Sequence, residues 1–356
     1  MVFLLFFVAV VVTVYVAMKI SAYADVLSEK TALGGLLIGT LFLAGATSLP
    51  EVTTSVSAVM INSPDIAVGN VLGSNLFNLL ILASLDLFFR KERALACASR
   101  DHRYTVSLGF VLSMLVVLAM TLDLPYTLLG VGLDSLFLCT VYVSGMLLIT
   151  KFSRHDNTLR HESTRPAVSA QEEVAVALDK EAARQDVPPQ DTQALENKNI
   201  SVQRAWLGFA VSAVLILVFG SLLTVTGDKI AVITGLGASF VGSFLIAAST
   251  SLPEAITAYA AFKLRNYNLA IGSILGSNLF NILILVGTDV IYRPGPLLSN
   301  VDTVHLLTAA FAGVLSLIVL YSLVRKNENS TVRYVIPSTL IIMVYFITSY
   351  LIFTGQ

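Results

Sequence analysis

Glu51 and Glu254 are carboxylic acids set deep in apolar stretches, where an ionised side chain is costly and marks a functional site. No Lys or Arg inside the same stretches is available to neutralise them. Two such acids brought together in a low-dielectric setting cannot both stay charged unless a cation compensates them or protons bind. Each is preceded by a proline, Pro50 or Pro253, which has no amide hydrogen. The carbonyls of Ala46 and Ser249 therefore lose their helical donors, and local unwinding would expose further carbonyls around Ala44 and Ala247. Free carbonyls at membrane depth are tolerated where they line a wet or ion-filled cavity. Thr47 lies four residues before Glu51 and Thr250 four before Glu254, so hydroxyl and carboxylate share a helical face. Ser74 and Asn78, like Ser277 and Asn281, repeat that spacing further on. The donor set is oxygen, which suits a hard cation; Ca²⁺ takes roughly 6 to 8 such ligands, whereas Mg²⁺ gives up its water reluctantly. Zinc and copper are disfavoured because no paired His or Cys is nearby. Sodium ions or protons can neutralise the same two charges, and competition at one site is a route to exchange.

These residues come twice. Positions 39–86 align without a gap on positions 242–289, a displacement of 203, with 22 of 48 positions identical. Thr47-Ser48-Leu49-Pro50-Glu51 recurs as Thr250-Ser251-Leu252-Pro253-Glu254, and Gly73-Ser74-Asn75-Leu76-Phe77-Asn78 as Gly276-Ser277-Asn278-Leu279-Phe280-Asn281. Identity concentrated in polar residues points to a shared site rather than to shared packing. Gly69 and Gly73, and Gly272 and Gly276, form small-xxx-small patterns that let helices approach closely.

The elements that must position these residues follow from composition. The chain has 356 residues, 56% hydrophobic and 13% charged, about half the charge of an average soluble domain. Charge-free runs reach the ~20 residues that cross a bilayer. The reading is an all-α polytopic membrane protein with ten transmembrane helices, over residues 2–18, 31–60, 66–89, 104–122, 126–150, 205–226, 230–262, 268–291, 303–323 and 334–353. Residues 1–150 form an amino-terminal five-helix repeat, 151–204 a hydrophilic cytoplasmic linker and 205–356 a carboxy-terminal five-helix repeat. With both termini outside, 20 of the 22 Lys and Arg fall in inner loops and only Lys229 and Arg293 outside, as the positive-inside rule asks. The two copies are five spans apart, an odd number, so the second crosses in the opposite sense. Inverted repeats with discontinuous helices meeting near the midplane are an architecture of secondary transporters. A net charge of −1 offers no basic field for nucleic acid, and Cys97 and Cys139 build neither a disulfide framework nor a metal knuckle. Inorganic cations and the lipid bilayer are the expected partners, and no cofactor or catalytic residue is called for.

At these motifs the chain resembles the sodium/calcium exchanger branch of the calcium/cation antiporter superfamily, whose two inverted repeats carry a T-S-L-P-E-like and a G-S-N-x-x-(N/D) signature. The resemblance implies that Glu51 and Glu254 are central metal ligands. It joins to them Thr47, Ser48, Thr250, Ser251, Ser74, Ser277, Asn78, Asn281 and the carbonyls of Ala44 and Ala247. It implies antiport of one Ca²⁺ against several Na⁺ by alternating access, with sliding of the first span of each half. Many members place an acid where this chain has Asn78 or Asn281, so the site carries two formal negative charges rather than three. That departure leaves a Ca²⁺/H⁺ antiporter with the same glutamates as the alternative. A cation channel fits less well, because filters usually come from rings of subunits about one axis. The expected location is a prokaryotic inner (plasma) membrane.

Other polar residues are read plainly. Asp86 and Asp289 fall near span ends and are expected in a vestibule or at the interface. Asp123, Asp228 and Asp302 look like solvated helix ends, His102 is assigned to a cytoplasmic loop, and His305 to the start of an outer helix. Trp206, Tyr104 and Tyr334 fit interfacial anchoring.

Overall fold

The computed structural model describes residues 1–30, 45–96, 98–163, 200–325 and 330–355. Long apolar runs satisfy their backbone polar groups internally as helices, the economical solution in lipid. In chain order these are α1 Val2–Lys30, α2 Leu49–Met60, α3 Pro64–Phe88, α4 Asp101–Leu122 and α5 Leu133–Ser163. After the segment outside the described residues come α6 Val202–Thr234, α7 Ala238–Thr250, α8 Leu252–Lys263, α9 Tyr267–Ile291, α10 Val304–Val324 and α11 Thr331–Thr354. Eight helices are long and apolar enough to cross a bilayer, and α7 with α8, bent by 42° at their junction, make a ninth candidate span among the described residues. Most of the span expected over 31–60 lies outside the described residues, which hold its end from residue 45.

Layering follows from burial. In α3 the most apolar stretch is 89% buried and in α9 67%, against 17–50% for the other single spans. The two motif-bearing helices are thus the centre, and α1, α4, α5, α6, α10 and α11 turn Leu, Val, Ile and Phe outward, as a lipid-facing ring does. Close approach at the centre uses glycine. A Cβ on Gly69 would lie 2.9 Å from the Ser243 amide nitrogen, and one on Gly73 would lie 2.6 Å from the Ser243 Cα, so α3 lies backbone to backbone against α7.

Several boundaries differ from expectation, beginning with α1, which continues past residue 18 to Lys30. The sixth span does not stop at residue 226, because Asp228 and Lys229 do not break a helix. Instead α6 runs on to Thr234, and the chain turns where Gly235 and Gly237 both take φ of +71°, a conformation glycine reaches without steric cost. Asp228, expected in solvent, accepts a 2.6 Å bond from Ser63 Oγ. The fifth span begins at Leu133 rather than 126, since residues 127–132 fold into a small antiparallel hairpin around Leu129 and Gly130, both at positive φ. Finally, α5 continues as helix to Ser163 into the stretch read as linker.

Two further expectations are corrected. Asp86 and Asp289 are buried rather than vestibular, and each ties down the loop that follows its helix. Asp86 accepts from the Leu95 amide, from Ser338 Oγ at 2.6 Å and from the Tyr334 hydroxyl. Asp289 accepts from the Leu297 amide at 2.6 Å and the Gly132 amide at 2.8 Å. Tyr334 is therefore a buried partner of Asp86 rather than an interfacial anchor, with the Arg325 guanidinium 4.8 Å above its ring.

Candidate cation site

The repeat is reproduced element by element. Displacing α2 and α3 by 203 residues gives the bounds of α8 and α9. The turns between them match too, with Asn62 at φ 61° and Arg265 at φ 58°, and with Ser63 N–H donating to Ala58 O and Asn266 N–H to Ala261 O, both at 2.9 Å.

Each glutamate sits in the first turn of a short helix that begins afresh after a break. Ser48 (φ −88°, ψ 12°) and Ser251 (φ −86°, ψ 1°) occupy the break, and Pro50 and Pro253 occupy the first turn, where a missing N–H costs nothing. The stretch Ser48-x-x-Glu51 and its copy Ser251-x-x-Glu254 read as capping boxes. Neither serine side chain makes the cap bond, however, and both hydroxyl oxygens stay unpartnered. Before Ser251, residues Val241–Ile246 form a π-helical turn, a distortion that recurs at functional sites.

The described candidate residues Thr47, Ser48, Glu51, Ser74, Asn78, Ala247, Thr250, Ser251, Glu254, Ser277 and Asn281 are all buried. Ala44 lies outside the described residues. The hydroxyls of Thr250 and Ser251 face the Glu51 carboxyl group, whose charge acts directly on Glu254. Ser74 Oγ is 3.5 Å from Thr250 Oγ1. Asn78 Nδ2 donates to Asn278 Oδ1 at 2.9 Å and Asn281 Nδ2 to Asn75 Oδ1 at 3.0 Å, so the amides of α3 and α9 interlock. The unwinding expected to free the Ala247 carbonyl does not reach it: that oxygen accepts from Ser251 N–H at 3.0 Å and Thr250 Oγ1 at 3.2 Å.

Three residues that sequence reasoning passed over help build the site. Asn70 sends Nδ2 to Thr54 Oγ1 at 2.7 Å, Ser55 Oγ at 2.9 Å and Glu51 O at 3.2 Å, while its Oδ1 accepts from Thr250 at 3.1 Å. It thus stitches α2 to α7. Asn75 and Asn278 are the partners of Asn281 and Asn78. The available signal was spacing: Asn70 is four residues before Ser74, and Asn75 three before Asn78, so all share the face that carries the motif.

Seven buried oxygens here have no hydrogen-bond partner: Ser48 Oγ, Glu51 Oε2, Asn78 Oδ1, Ser251 Oγ, Glu254 Oε1 and Oε2, and Asn281 Oδ1. An unpaired buried polar atom costs about 1 to 3 kcal/mol, and more when charged. Five of the seven are carboxyl or carboxamide oxygens and two are hydroxyls, an unusual concentration of unpaired oxygen for a folding core. Carboxylate, carboxamide and hydroxyl oxygens are the ligand types that a hard cation takes.

A family model for sodium/calcium exchanger proteins matches residues 1–151 and 204–354. The chain belongs to this family. The exchanger is by that membership an integral, multi-pass membrane transporter of calcium and other cations, not a member of a catalytic enzyme family. It is 26% identical to the inner membrane protein YrbG of Escherichia coli (strain K12), with 82% of this chain and 80% of that protein covered. It is 25% identical to the putative antiporter CaxA of Alkalimonas amylolytica, over 93% of this chain and 92% of that one. Among solved structures it shares its fold with the H⁺/Ca²⁺ exchanger CAX (TM-score 0.61, 14% identity, 100% of this chain and 92% of the other). It shares it also with the sodium-calcium exchanger NCX_Mj (TM-score 0.54, 18% identity, 96% and 95%).

Proposed function

We propose that the exchanger carries one Ca²⁺ against Na⁺ by alternating access, at a midplane site made by both halves. The observation that carries this reading is the set of seven unpartnered buried oxygens, two carboxylates among them, on residues of both repeat copies. Glu51 and Glu254 supply the charge. Asn78, Asn281, Ser48 and Ser251 supply neutral oxygens, and Thr47, Thr250, Ser74 and Ser277 complete the polar lining; the Ala44 and Ala247 carbonyls would join on further unwinding of the breaks. With two negative charges, Ca²⁺ leaves the site neutral, and so do two monovalent ions, which makes the two loads mutually exclusive. The repeat copies are read as an inverted pair, so a rocking motion that closes one access route opens its image. The distribution of Lys and Arg supports an orientation with both termini outside and the hydrophilic linker, residues 151–204, in the cytoplasm.

The second reading is Ca²⁺/H⁺ exchange, favoured by the absence of an acid at positions 78 and 281, since two protons discharge two glutamates without needing further ligands. Calcium uptake into vesicles holding the purified protein separates the two. A sodium gradient imposed at clamped pH drives uptake under the first reading; uptake driven by a proton gradient alone, with none from sodium, replaces it with the second.

A further inference from the structure

Asn78 and Asn281 each spend an amide nitrogen across the α3 and α9 interface and leave a carbonyl oxygen unpartnered. The two ends of a carboxamide have the same shape and differ only in donating or accepting, so neighbours decide which end faces the site. For Asn78 the decision can be traced to an atom that has no choice. The main-chain carbonyl of Asn75 can only accept, and the Asn278 side chain meets it at 3.1 Å, which obliges Asn278 to present Nδ2 there. Oδ1 is then the other end of Asn278, and Asn78, 2.9 Å away, must meet it with Nδ2. What remains of Asn78 is a buried oxygen with nothing to accept from. The image bond, Asn281 Nδ2 to Asn75 Oδ1, links the same two repeat positions with the halves exchanged, the reciprocity of a two-fold contact.

We infer that Asn75 and Asn278 are positioning residues, which hold the carboxamide oxygens of Asn281 and Asn78 toward the transported cation. The inference rests on the reading that Asn78 and Asn281 are ligands.

The test uses the full chain in vesicles and the apparent KM for calcium. Asn278→Ala frees the Asn78 amide to turn, and is expected to raise KM about tenfold while the maximal rate stays within about a factor of two. A residue that merely props up the fold would lower the maximal rate, through fewer active molecules, and leave KM alone; that result overturns the inference. The deciding measurement is the same substitution in an Asn78→Ala background. With the oxygen gone there is nothing left to orient, so less than a further twofold is expected, whereas a second full tenfold means that Asn278 acts by another route. Should Asn78→Ala by itself leave KM unchanged, the ligand assignment fails, which is a different result from additivity in the pair. If the Asn278 variant does not accumulate, Asn75→Ala with Asn281→Ala is scored the same way. Asn75→Ala keeps the main-chain carbonyl that anchors Asn278 and so releases Asn281 alone.

Discussion

Near the start of α3 the Asp65 carboxylate accepts the Asp302 amide at 2.6 Å and lies 3.2 Å from His305 Nε2. Near the start of α9 the Asn268 carboxamide accepts the Ser99 amide at 2.8 Å and faces His102. Every member of the second set is displaced from its counterpart by the same 203 residues, so these are two copies of one latch, each tying the motif helix of one half to the helix that follows the motif helix of the other half. One copy contains an acid beside the imidazole and the other a neutral amide. The same contrast runs through the centre: the unpartnered oxygens belong to repeated residues, whereas Asn70, which stitches α2 to α7, has Ser273 as its counterpart. A transporter whose halves were identical would have inward- and outward-facing states of equal energy. The repeated residues are those proposed to hold the cargo, and the residues that differ are those able to favour one state over the other.

Several substitutions would break or sharpen this comparison. The largest effect is expected from Glu51→Gln and Glu254→Gln, each of which should lower calcium uptake into vesicles at least about 100-fold, since a lost buried ligand charge costs several kcal/mol. The two should be equivalent; near wild-type uptake in either would remove that half from the site. Next comes the glycine pair. Gly73→Ala drives a methyl group into the Ser243 backbone and should destabilise by about 2 kcal/mol in thermal or denaturant unfolding. At Gly276 a Cβ meets nothing within 4 Å among the described residues, so Gly276→Ala should be neutral, or stabilising by up to ~1 kcal/mol through helix propensity. Equal losses at both would mean that the halves pack alike. Asn70→Ser, which installs the counterpart's residue, removes hydrogen bonds to buried partners and should cost about 1 to 2 kcal/mol of stability. Smallest is Asp65→Asn, which copies the neutral latch onto the charged one. A partly exposed pair is worth about 1 kcal/mol or less, so a small fall in unfolding temperature is expected; a fall as large as that from Gly73→Ala would show that the pair does more than latch.

Much of this was legible in the chain. Spanning helices were readable because lipid admits few other structures, and the twin motifs because the same polar residues recur at a constant displacement. Helix boundaries were less readable. Asp228 and Lys229 look like a loop, yet a helix tolerates them, and the turn waits for the positive φ of Gly235 and Gly237. His102 read as a loop residue, although it lies in the first turn of α4 and aligns with His305 at the repeat's own displacement. The repeat's displacement therefore holds beyond residue 86. Asn75 and Asn278 stood inside a repeated motif, but their partners lie on the opposite helix, and no spacing along one helix reveals a bond between two. Asp86 and Asp289 misled for the same reason, because the amides they hold belong to loops eight or nine residues further on.

The central claim is that both halves contribute to one calcium site. Calorimetric titration of the purified exchanger with calcium, in the absence of sodium and at fixed pH, tests it most directly. One ion per chain is expected for the unaltered protein, and none at the same affinity for either Glu51→Gln or Glu254→Gln. Two ions per chain, with each substitution removing one and sparing the other, would mean that the halves bind separately, and the account would be wrong.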